Sequence, residues 1–290
     1  MLIRLLSLVV FSFAAIFPTL YAAQEVALKS GQTLAFMGDS ITAGGMGSPM
    51  GYCRLVISGL EANGVNVAPI GAGVSGHKSN DMLGRLERDV ISKKPDWMTL
   101  SCGVNDVWHG AKGVPLDAYK TNISAIVDQA LAAGIKVMLL TSTMIGEDSA
   151  NPNNQKLAPY NDFIRELAKE KKCLLADLNA EMQDQLKKLG SNGKTNLLTG
   201  DGVHMNAEGN MMMAVGVLKG LGLNAEQIAK AQGKWLDIPD AIEVAGKMKI
   251  SLRHYQQLSA YATQQKRSLN DILNEALGKT VESILKQPQP

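Results

Sequence analysis

Five short apolar runs recur along the chain up to residue 177: Leu34–Met37, Val65–Ile70, Trp97–Ser101, Lys136–Thr141 and Leu174–Asp177. They lack the polar alternation of half-exposed strands, so the pattern predicts strands buried on both faces of a parallel sheet. Between them, apolar residues recur at helical spacing over about 52–62, 81–91, 116–133, 157–171 and 180–189. A further segment, 207–221, is apolar nearly all round, and its Met211, Met212 and Met213 read as core filling. Strands alternating with helices predict an α/β domain, a sheet covered by helices on both faces.

The pattern changes after Gly222. No strand is convincing through residue 246. Ser251 and Ser268 then stand where helix N-caps would. The first opens a stripe of Leu252, Tyr255, Leu258 and Ala262. The second opens one of Leu269, Ile272, Leu273, Ala276, Val281, Ile284 and Leu285. Each stripe needs something to pack on, the main domain or a partner. At the other end, Arg4 precedes an apolar run, Leu5 to Phe17, and small residues up to Ala23 offer a cleavage site before Gln24. That is the pattern of a signal peptide over residues 1–23, and it implies a secreted or periplasmic protein. The run is short for a membrane span, and no stable membrane association is expected. An uncleaved N-terminal anchor is the alternative.

Composition narrows the picture further. Apolar residues make up 46% of 290, enough for a sizeable core. The formal charge is +2, from 29 basic and 27 acidic residues, so electrostatics give no reason to expect nucleic acid. Met248–Leu277 does have the order of a ribbon-helix-helix DNA-binding segment, a short polar strand and then two helices. Residues 224–290, however, hold nine Lys/Arg against seven Asp/Glu, whereas a DNA-binding surface is clearly basic. Cys53, Cys102 and Cys173 have neither metal-type spacing nor the even count of a disulfide framework. With no cluster of Cys, His and Asp, no metal and no other cofactor is expected.

The chemistry gathers at the ends of strands. Gly38-Asp39-Ser40-Ile41-Thr42 follows the first strand, and ligand sites of open α/β sheets lie at that carboxyl edge. Asp201-Gly202-Val203-His204 places a carboxylate three residues ahead of an imidazole. A serine nucleophile needs a base to take its proton, and the base needs an acceptor on its other nitrogen. A helix-entry loop would also use such residues. Gly103-Val104-Asn105-Asp106 follows the third strand. Asn105 there could donate an amide N–H to an oxyanion, as Ser40 and Gly76 could donate backbone N–H groups, though Asn-Asp also suits a plain turn.

In this order these blocks, with Gly71-Ala72-Gly73-Val74-Ser75-Gly76, resemble those of the SGNH/GDSL hydrolase family over roughly residues 32–221. The resemblance implies catalytic Ser40, Asp201 and His204, and an oxyanion hole of Ser40, Gly76 and Asn105. It also implies a three-layer sandwich around a five-stranded parallel sheet of flavodoxin-like order, with Ser40 and Asn105 flanking the switch point between first and third strands. The expected organisation is a hydrolase domain over 24–223 and a helical extension over 224–290.

Rival signals are weaker. The GAGVSG run also fits the dinucleotide fingerprint, but it follows the second strand and no acidic residue ends the next one. No GxSxG elbow is present. His77 and His109 could border the pocket or be loop histidines, and Asp39 and Asp106 suit structural roles in their loops. The function expected is a serine ester hydrolase releasing a short acyl group, such as acetyl, from a polar and carbohydrate-like alcohol. The polar Ile145–Gln155 segment and the 5% aromatic content favour such a substrate. A lysophospholipase or thioesterase is the alternative within the same chemistry, and a non-catalytic carbohydrate-binding protein is the alternative outside it. The partner expected is thus a small acyl ester or an acetylated glycan; the oligomeric state is not legible.

Overall fold

A computed structural model of the chain describes residues 25–191, 193, 196–238, 251–265, 267 and 269–287. The proposed signal peptide, residues 1–23, lies outside the described residues, as does Ser268. Five parallel strands form one sheet in the order β2-β1-β3-β4-β5. They are β1 (Thr33–Gly38), β2 (Ala68–Gly73), β3 (Trp97–Ser101), β4 (Lys136–Leu140) and β5 (Leu174–Ala176). This is the flavodoxin-like order expected. The central strands β1, β3 and β4 pair in register from Leu34↔Trp97 and Trp97↔Lys136, and are almost wholly buried.

The helices fall into two layers. On one side, α3 (Ser79–Asp89), α5 (Leu116–Ala132) and α6 (Pro152–Lys171) pack in a row. On the other, α2 (Tyr52–Ala62) packs on α8 (Ala207–Gly220), and α8 on α7 (Leu178–Lys188). Two short helices, α1 (Ser40–Gly47) and α4 (Val104–Trp108), start directly at the ends of β1 and β3. They carry the first and third sequence blocks.

Several boundaries differ from the sequence expectation. β2 lies three residues later than the apolar run Val65–Ile70, because the edge strand pairs on one side only and extends through the glycines to Gly73. α6 begins at Pro152, inside the segment read as a polar loop: Asn151 caps it by accepting from the Asn153 N–H at 2.9 Å, with Pro152 at the first helical position. A helix the sequence did not suggest, α9 (Ala225–Trp235), follows α8 and packs on α2. Its Trp235 indole donates to Leu55 O at 3.1 Å, and Asn63 donates to Gln227 O at 2.9 Å. The helix therefore shares the core of the domain expected to end at residue 223.

The chain divides into two compact units, one ending at Ile242 and the other starting at Glu243. The second contains the two helices expected beyond residue 250, α10 (Leu252–Gln264) and α11 (Leu269–Leu285). Ser251 caps the first, accepting from the His254 N–H at 3.2 Å. Along α11, Leu277, Val281, Ile284 and Leu285 remain exposed. All three cysteines are free thiols, Cys53 and Cys102 buried and Cys173 half-buried. Among the described residues, no helix is long and apolar enough to cross a membrane.

Candidate active site

Ser40 is the first residue of α1. Asp39 caps the helix by accepting from the Ile41 N–H at 2.9 Å. The turn from β1 into α1 is tight because Gly73, at the end of the neighbouring strand, has no side chain: a Cβ there would collide with the backbone of Thr42 and Ala43. α1 therefore sits directly against the end of the sheet. The Ser40 N–H, in the first helical turn, has no acceptor among the described residues.

Residues 199–205 form a turn closed by Gly200 N–H donating to His204 O at 2.8 Å, with Thr199 bridged to Met205. Within it, Asp201 Oδ1 accepts from the Val203 and His204 N–H groups at 2.9 and 2.8 Å, and Oδ2 meets His204 Nδ1 at 2.7 Å. Partial burial would raise the Asp201 carboxyl, but hydrogen bonds from the His204 side chain, the His204 N–H and the Val203 N–H outweigh it and hold it at about 2. An ionised carboxylate only accepts, so the proton between the two lies on Nδ1. Nε2 of the neutral ring is then left to accept from the Ser40 hydroxyl, whose Oγ lies 2.9 Å away. His204 and Asp201 are 46% and 55% exposed, so the line Asp201–His204–Ser40 lies open to solvent.

Asn105 comes to the same edge from α4. The preceding Gly103 has φ 141, in the region that favours glycine, and a Cβ there would meet Ser142 Oγ. Asn105 is 5% exposed. Its Nδ2 donates to His77 O at 3.2 Å and Asp39 Oδ2 at 3.3 Å. The two contacts lie at the upper end of N–H···O distances and just beyond it. His109 Nε2 lies 3.1 Å from Asn105 Oδ1. With Nδ2 donating on its other side, Oδ1 is the acceptor there, and the histidine fixes which way the amide faces. Gly76 lies next to His77, and the space beside it is open.

The remaining polar residues hold this frame. Burial pushes the Asp39 carboxyl up to about 6 against the Ile41 N–H, and burial also raises that of Asp106. Asp106 accepts from Ser79 Oγ at 2.6 Å and from Ser79 N–H at 3.0 Å, tying α4 to the start of α3. Arg85, buried on α3, donates to Gly38 O and Ala72 O, both at 2.8 Å, and to His77 Nδ1 at 3.0 Å. It thus joins the ends of β1 and β2 to the loop after Gly76. His77 and His109 are both engaged with this frame, by Arg85 and by Asn105 respectively. Sequence reasoning missed Arg85, though a charged residue between Met82 and Leu86 on the buried face of α3 was a visible signal. It also missed Glu147, which no local pattern marks. Among the described residues, no three His, Cys, Asp or Glu side chains are grouped to hold a metal ion.

Residues 36–212 match the model of the GDSL-like lipase/acylhydrolase family. The chain belongs to this family. Among relatives of this GDSL-like chain, an acetylxylan esterase of Geobacillus stearothermophilus is 29% identical over 214 residues, covering 67% of this chain and 96% of that protein. Esterase TesA of Pseudomonas aeruginosa is 32% identical over 110 residues, covering 38% and 53%. Two acetylxylan esterase structures share the fold. Axe2 from Geobacillus stearothermophilus superposes with a TM-score of 0.61 at 27% identity, over 68% of this chain and 97% of that one. AlAXEase superposes with a TM-score of 0.61 at 35% identity, over 64% and 98%. The GDSL-like chain is accordingly a carboxylic ester hydrolase.

Proposed function

We propose that this hydrolase removes acetyl groups from an acetylated carbohydrate, with Ser40 as nucleophile, His204 as general base, Asp201 as its orienting partner, and Ser40 N–H, Gly76 N–H and Asn105 Nδ2 as oxyanion donors. The observation that carries the catalytic roles is the unbroken line from Asp201 Oδ2 through His204 to Ser40 Oγ, at 2.7 and 2.9 Å. Ser40 gives its proton to His204 Nε2 as Oγ bonds to the acetyl carbonyl carbon. The tetrahedral oxyanion collects at the three donors. His204 then returns the proton to the sugar oxygen as the C–O bond breaks. In the second half His204 takes a proton from water, hydroxide attacks the acetyl-serine, and acetate leaves as Ser40 recovers its proton.

The acetylxylan esterase relatives support the acetylated glycan as substrate. The exposure of Asp201 and His204 fits a chain-like substrate that must approach from solvent. The test is a rate series on nitrophenyl esters of rising acyl length, followed by acetyl release from acetylated xylo-oligosaccharides. Rates should be highest for acetate and fall with length; rates that climb with length would favour the lipolytic alternative. Ser40→Ala should lose roughly 10⁴-fold in kcat while keeping its melting temperature. Near-wild-type turnover in that variant would remove Ser40 as nucleophile.

The Arg4-led apolar run supports export with cleavage after Ala23. N-terminal sequencing of protein from the periplasm or medium should read from Gln24, and a retained Met1 would refute it.

A further inference from the structure

Glu147 stands in the turn after β4, only 6% exposed, and meets no cationic side chain among the described residues. It takes its hydrogen bonds from a segment some fifty positions later. Oε2 accepts from the Leu197 N–H at 2.6 Å. Oε1 accepts from the Leu198 N–H at 2.8 Å, the Thr199 N–H at 2.7 Å and the Thr199 hydroxyl at 2.7 Å. The Thr199 oxygen in turn accepts from the Gly202 N–H at 3.2 Å, and Gly146 N–H donates to Gly202 O at 2.6 Å. The chain on either side of Asp201 is therefore tied to residues 146 and 147.

The anchor itself is fixed. Asn154 on α6 accepts from the Ile145 N–H at 2.8 Å and donates to Ile145 O at 3.1 Å and Asp148 O at 2.7 Å. A continuous set of hydrogen bonds thus runs from α6 through Glu147 and Thr199 to the turn that presents Asp201 and His204. By contrast, the side chains of Asp201 and His204 are themselves about half-exposed. Their reach to Ser40 depends on where residues 197–202 are held. A displacement of about 1 Å at a reacting group costs about 10²-fold in rate.

We propose that Glu147 is a positioning residue for the reaction, its buried carboxyl group docking residues 197–199 so that His204 stays in line with Ser40. The proposal rests on Ser40, His204 and Asp201 acting as described above. Glu147→Gln is the near-isosteric test: it puts an NH2 group against backbone N–H groups that need an acceptor. With nitrophenyl acetate, kcat should fall about 10²-fold while KM stays within about threefold. The strongly deshielded proton resonance of His204 Nδ1–H, hydrogen-bonded to Asp201, should broaden or vanish in the folded variant. Val127→Ala, a cavity in the buried face of α5, serves as control: it should lower the melting temperature and leave both kcat and that resonance unchanged.

If Glu147→Gln does not fold, Thr199→Val decides the matter. It removes only the hydroxyl that links Glu147 to Gly202, and the same loss of kcat at constant KM is expected. A folded Glu147→Gln, or failing that Thr199→Val, with kcat within twofold of wild type and the resonance intact overturns the proposal. So does a loss of rate no larger than that of Val127→Ala. Turnover by Ser40→Ala or His204→Ala at the wild-type rate would instead overturn the catalytic assignments, a failure distinct from either of these.

Discussion

Asn105 serves two ends with one amide. Its Nδ2 is held by His77 O and Asp39, and its Oδ1 by His109, so the orientation of the amide is set before substrate arrives. Charge appears on the carbonyl oxygen only in the transition state. Asn105→Ala should therefore lower kcat by roughly 10²–10³ with little change in KM. Steady-state kinetics and a melting curve on one preparation check this: lost stability with kcat retained would make Asn105 a turn residue. Ser40, Asp201, His204 and Asn105, which the structure gathers at one edge of the sheet, could be picked out in the sequence because each stands in a short local block. Of the residues that hold them, Asp39 was legible as a loop residue beside Ser40, but Glu147 was not: it acts across 50 positions, and nothing in a polar stretch such as Gly146-Glu147-Asp148 tells a buried acceptor from a solvated one.

At the scale of elements, the strand ends matter more than the helices. β1, β3 and β4 were readable because burial on both faces leaves unbroken apolar runs. β2 was misplaced because an edge strand need not be apolar, and its sequence, Ala-Pro-Ile-Gly-Ala-Gly, is only partly buried. α9 was missed because its stripe of Ile228, Ala231 and Trp235 is sparse. Gly73 makes a sharp test of the close seat of α1. Gly73→Ala should force the helix away from the sheet, costing about 1–3 kcal/mol by overpacking and, through Ser40, about 10²-fold in kcat. Unchanged activity and melting temperature would show that α1 has slack. Arg85→Ala should take the side-chain donor from the buried Ala72 carbonyl and leave Gly38 O with the Val74 N–H at 3.1 Å, a loss of about 1–3 kcal/mol read by urea unfolding.

Across the whole molecule, two sets of carboxyl groups pull the pH dependence of stability in opposite directions. Asp201 and Asp89 sit at about 2, the latter chiefly through the Arg88 hydrogen bond, so they stabilise the fold above the ordinary carboxylate value and cease to do so as pH falls towards 2. Asp39 is raised to about 6, so its burial costs nothing below the ordinary value and weakens the fold as pH rises through 6. Relative to Asp39→Asn, the wild type should lose up to about 3 kcal/mol between pH 4 and pH 7. Urea titrations of both proteins at the two pH values measure this, and parallel curves would contradict it. All the site residues lie in the unit that ends at Ile242. A chain ending there should keep kcat/KM for nitrophenyl acetate within about twofold, since every described site residue precedes that point. A large loss would give the last two helices a part in catalysis.

The hydrogen bond between His204 and Ser40 spans 164 positions. A ribosome releases Ser40, the proposed nucleophile, long before His204, the proposed base. Any product of premature termination ahead of residue 204 carries Ser40 without the imidazole that meets its hydroxyl in the whole protein. On the proposed roles such fragments should not turn over esters, and the growing chain gains that ability only after the whole sheet, whose last strand ends at Ala176, has been made.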